Sequence, residues 1–77
     1  METASFIIAN NMLYAYDIGF LSETQYEGLI RVYRLKSGKQ TIYDYLGKIF
    51  PNEYLTITDA GSSGIYKVIK EKIQLPV

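Results

Sequence analysis

The chain has no cysteine, no histidine and no tryptophan, and only two prolines among its 77 residues. Without cysteine there is no disulfide framework, no thiolate metal site and no thiol nucleophile. Without histidine the usual zinc and iron ligand sets, the Ser-His and Cys-His pairs and the commonest general base at neutral pH are missing as well. Enzyme chemistry therefore has little to work with, and we expect a non-enzymatic protein that uses no metal, no cofactor and no small-molecule substrate. A basic leader is also lacking: Glu2 stands where a signal peptide would be positive, and Asn10, Asn11 and Asp17 interrupt the first apolar run. Neither a secretion signal nor a membrane span is expected, and a cytoplasmic, membrane-free location follows as the default.

What remains is typical of a globular chain, with 48% hydrophobic and 21% charged residues. That is enough apolar material to offset chain entropy over a single domain, residues 1–77. Net charge is zero but unevenly placed. Residues 1–30 carry Glu2, Asp17, Glu23 and Glu27 with no Lys or Arg, whereas 31–48 carry Arg31, Arg34, Lys36, Lys39 and Lys48 against Asp44 alone.

The segment Phe6 to Leu21 is the most apolar. On a helix it forms three stripes: Phe6, Ala9, Leu13, Tyr16 and Phe20; Ile8, Met12 and Ala15; and Ile7, Tyr14 and Ile18. An all-round apolar helix is either central to its own fold or shared with a partner. Gly19 marks its end. Ser22-Glu23-Thr24-Gln25 is a capping box, flanked by Leu21 and Tyr26 as a hydrophobic staple. The spacing of Tyr26, Leu29, Ile30 and Tyr33 predicts an amphipathic helix over 23–36, with Glu27 and Arg31 placed as an i,i+4 pair. Ile42, Tyr45, Leu46, Ile49 and Phe50 predict a third helix over 39–50, ended by Pro51. Residues 53–58 alternate and read as a short extended segment, and 59–64 as a turn. For 65–75 the apolar face of Ile65, Val68, Ile69 and Ile73 favours a helix over a strand, and Pro76 closes it. The expected fold is mainly α: a small three- to four-helix domain with one short extended segment near 53–58.

The run from Leu13 to Leu29, L-Y-A-Y-D-I-G-F-L-S-E-T-Q-Y-E-G-L, resembles the short C-terminal (SHOCT) helical-hairpin family. Gly19, Leu21, Ser22 and Tyr26 match its pattern of a leucine-bearing helix, a glycine, an aliphatic residue, a Ser or Thr cap and an aromatic opening the second helix. Gln25 stands where an acidic residue is usual. The resemblance covers about a quarter of the chain and implies a helical hairpin used in interaction or oligomerisation, with no catalytic residues.

Two surfaces are candidates for binding. The basic segment Arg31, Arg34, Lys36, Lys39 and Lys48 would serve phosphates in a helix-turn-helix or winged-helix DNA reader, although Asp44 would then sit near the phosphates. The eight tyrosines suit wet protein interfaces. Tyr26, Tyr33 and Tyr45 read as core rings with exposed tips. Ile7, Tyr14, Ile18, Tyr43 and Tyr54 fall off the main stripes and are the predicted protein-interface residues. Gly61-Ser62-Ser63-Gly64 has no P-loop lysine after it and reads as a turn, and Ser62 and Ser63 have no histidine to activate them. The favoured function is a small, homodimeric regulator or inhibitor, of the size of a bacterial or phage accessory protein, that acts by surface occlusion, its partner being another protein or a second copy of itself. The alternative is a small DNA-binding regulator.

Overall fold

The structure is a computed structural model that describes residues 1–59 and 61–73. Two strands, β1 (Glu2–Ala9) and β2 (Met12–Asp17), are followed by two helices, α1 (Glu23–Leu35) and α2 (Lys39–Ile49), and then by β3 (Glu53–Thr58), a single 3-10 turn (Gly61–Ser63) and β4 (Ile65–Lys72). The strands form one antiparallel sheet in the order β2-β1-β4-β3. The chain is thus a small α+β domain, and the expectation of a mainly helical three- to four-helix domain is overturned at both ends.

At the first end, the predicted helix that starts near Phe6 and ends at Gly19 is replaced by a β-hairpin of β1 and β2, residues 2–17. Asn10 and Asn11 have φ of 53° and 62°. Two successive positive φ values are what a two-residue turn of the hairpin type requires, and Asn tolerates them better than other side-chain-bearing residues. Asn-Asn is therefore the reversal itself, not a polar break in a helix. The three apolar stripes resolve into two strand faces. Ala4, Phe6 and Ile8 alternate with Thr3, Ser5 and Ile7, and β-branched and aromatic residues favour the pleated backbone. The helical hairpin implied over Leu13 to Leu29 is accordingly half absent: Leu13 to Asp17 lie in β2, while the capping box opens α1 as expected. Gln25 N–H donates to Ser22 Oγ at 3.1 Å, and Ser22 N–H donates to Gln25 Oε1 at 2.9 Å.

At the second end, residues 65–72 pair with β1 and β3 instead of coiling. The strand alternation is disguised because an inward position is occupied by Lys70. Its ammonium donates to Glu2 Oε2 at 2.9 Å and lies over the rings of Phe20 and Phe50, 4.9 and 4.4 Å from their centroids. The cation is thereby satisfied on the helix-covered face, with its side chain only 12% exposed. The hydrogen bond from Lys70 holds the Glu2 carboxyl below the usual glutamate range. Residues 74 and 75 of the predicted helix, and Pro76, lie outside the described residues.

Both helices pack on one face of the sheet. Ala4, Phe6, Leu13, Ile57 and Val68 from the strands meet Leu21, Leu29, Tyr33, Ile42 and Leu46 in one buried cluster. The rings of Phe6 and Tyr26 are parallel to within 7°, 6.3 Å apart. Gly19, at φ 52°, passes so close to Thr3 O that a Cβ there would lie 1.8 Å from it, which fixes the crossing of the loop after β2 over β1.

Candidate interaction surface

Residues directly opposite one another on neighbouring strands share a face, so the register fixes what the uncovered side of the sheet carries. Tyr14, Ile7 and Ile65 form one row across β2, β1 and β4. Asp17, Ser5, Lys67 and Thr58 form the next, then Thr3, Ile69 and Thr56, and finally Glu71 with Tyr54. Apolar character concentrates toward the β1–β2 turn, where Met12 opposes Ala9 beside the Tyr14 row. Tyr14 is 49% exposed and Tyr54 65%. Tyr16, which the ladder skips where its register shifts between Ser5 and Phe6, is 65% exposed. Among the described residues no element covers this face.

The five predicted interface residues are therefore divided. Ile7 and Tyr14 stand side by side on the open face, and Tyr54 stands on the same face at the β3 edge. Ile18 and Tyr43 belong elsewhere: both are partly buried against the core. Tyr43 has a structural task, its hydroxyl accepting the Ile57 N–H at 2.9 Å. Tyr26 does the same at the opposite edge of the sheet, its hydroxyl accepting the Ala15 N–H of β2 at 2.8 Å. In an antiparallel edge strand alternate N–H groups point away from the ladder, and each edge of this sheet has one of them taken by a helix tyrosine. Ile65 and Ile69 were missed as interface candidates. The available signal was their period-two spacing about Lys67, which the inward Lys70 masked.

At the β2 edge the open face continues into a groove of about 420 Å³ between β2 and α1, lined by Met12, Tyr14, Tyr26 and Ile30 together with Arg31 and Arg34. Glu27 also lines it. The expected Glu27–Arg31 ion pair does not form, and among the described residues neither arginine has an ion-pair partner.

The remaining basic residues do not join this groove. Lys36 and Lys48 line a separate depression between α1 and α2 beside Asp44 and Tyr45. Lys39 donates to Asp59, a contact that raises the Lys39 pKa and lowers that of Asp59. The predicted phosphate-binding set Arg31, Arg34, Lys36, Lys39 and Lys48 is thus spread over three places. Among the described residues no group of three metal-ligating side chains converges, and no helix is long and apolar enough to cross a membrane. No protein-family model, curated protein or solved structure matches the chain.

Proposed function

We propose that this chain is a non-enzymatic protein-interaction module, a small regulator or inhibitor that acts by covering a surface of its partner, and that its contact face is the open side of the sheet. The observation that carries this reading is the row Tyr14, Ile7 and Ile65 on a sheet face that no element covers. The helices saturate the other face, and both sheet edges have an outward amide engaged by a tyrosine. A face-on contact is then favoured over strand addition at an edge. DNA reading is the weaker alternative, because phosphate tracking needs cations in a continuous band and here they are divided among three places.

A second copy is the first partner to test, by sedimentation equilibrium of the 8.8 kDa chain, with partner capture from lysate alongside. Tyr14→Lys and Ile7→Lys are expected to remove the association, whether with itself or with a captured protein, while circular dichroism stays unchanged. Association that survives both substitutions in folded protein would sink the proposal, as would a monomer that captures nothing.

A further inference from the structure

A four-stranded face six residues deep has a footprint of only about 19 by 20 Å, from strand spacings of about 4.8 Å and rises of about 3.3 Å. That is a modest platform beside a standard interface, which buries ~800 Å² of accessible surface per partner. A contact centred on Tyr14 gains area by extending beyond the face, and apolar surface continues around the β2 edge into the groove against α1.

We infer that this groove takes an acidic segment of the protein partner, its carboxylates held by Arg31 and Arg34 and its apolar side chains seated against Met12, Tyr14 and Ile30. The inference rests on the reading of the chain as a protein-interaction module. The two arginines are three residues apart on α1, so they project from the same side about one turn apart. Neither has a carboxylate partner within the described chain. Their planar, bidentate geometry suits carboxylates, and the apolar lining would shield such pairs from water. Among the described residues Glu27 is the one carboxylate lining the groove, which leaves an excess of positive charge there. Tyr26 already holds the Ala15 amide, so the segment binds through side chains instead of adding a strand at that position. A nucleic-acid occupant is disfavoured by the same geometry: two cations beside Glu27, with the other basic residues in different places, offer no track for a row of phosphates.

The test is fluorescence anisotropy of a labelled decapeptide alternating glutamate and leucine, with a lysine–leucine decapeptide and a DNA duplex as comparisons, at about 50 and 200 mM salt. The glutamate peptide should bind, more weakly at the higher salt, and the lysine peptide should not. The double variant Arg31→Gln, Arg34→Gln should lose at least about tenfold in affinity, and the exposed pair Lys36→Gln, Lys48→Gln should lose nothing. Both variants change exposed positions, three within helices and Lys36 at the cap of α1, and their helix content is checked by circular dichroism. Equal binding of the lysine peptide, an unchanged affinity in the arginine double variant, absence of peptide binding, or tighter binding of the duplex would each overturn the inference. If Tyr14-dependent association persists while the peptide fails to bind, only the acidic occupant falls; loss of both removes the interaction reading itself.

Discussion

Tyr26 and Tyr43 perform one task at opposite margins of the sheet, and the difference between their surroundings yields a graded prediction. Each ring contributes apolar area to the layer between helix and sheet, and each hydroxyl accepts a backbone N–H that the ladder leaves over. Ile57 is buried and its bond to Tyr43 partly so, whereas the bond at Ala15 is exposed. Removing a hydroxyl matters in proportion to how poorly water can replace it. Tyr43→Phe should therefore cost about 1 to 3 kcal/mol in urea unfolding, and Tyr26→Phe no more than about 1 kcal/mol. Equal, small losses for the two would show that water serves both amides. A tyrosine with this role is not visible as such in a sequence: Tyr43 looks like an unpartnered ring because the strand that it serves begins ten residues later.

The elements divide by how local their causes are. α1 begins at Ser22 with both capping-box bonds made, and α2 ends at Ile49 with Phe50 as its cap just before Pro51; these follow from side chains within four residues of the boundary. β3 spans Glu53–Thr58, as its alternation indicated. The β1–β2 hairpin depends on a turn signal that competes with a strong apolar pattern, and Asn10 and Asn11 decide it by accepting positive φ. Placing β-branched residues there tests the point. Asn10→Val with Asn11→Val should cost roughly 1 to 2 kcal/mol per site, lowering the melting temperature by roughly 4 to 8 °C per kcal/mol for a domain of this size. Asn10→Asp with Asn11→Gly, which keeps the turn type, should leave it unchanged or raise it. A double valine variant that melts like the parent would mean that the turn does not direct the hairpin.

For the molecule as a whole, one layer of sheet and one of helices share a single core in which Phe6 is fully buried and stacked on Tyr26. A chain of this length is stable by about 4 to 12 kcal/mol, so Phe6→Ala should remove about 3 to 5 kcal/mol in urea unfolding, a large share of the total. A loss below about 2 kcal/mol would show that the two layers do not depend on this contact. The sequence by itself determined the two central helices and β3, because caps, proline and short-range periodicity act within a few residues. It also marked Ile7 and Tyr14 as apolar groups without an obvious place in the core. Only the tertiary structure decided that 65–72 is a strand and that β1 lies between β2 and β4, since Glu2 pairs with Lys70 and Phe6 with Tyr66, partners 68 and 60 residues apart, and no local pattern encodes such a pairing. The same pairing gathers Ile65 beside Ile7 and Tyr14 and makes of them a surface. It also seats Lys70 at an inward position where the alternation demands an apolar residue, satisfied there by Glu2, Phe20 and Phe50, partners that only the folded chain brings within reach.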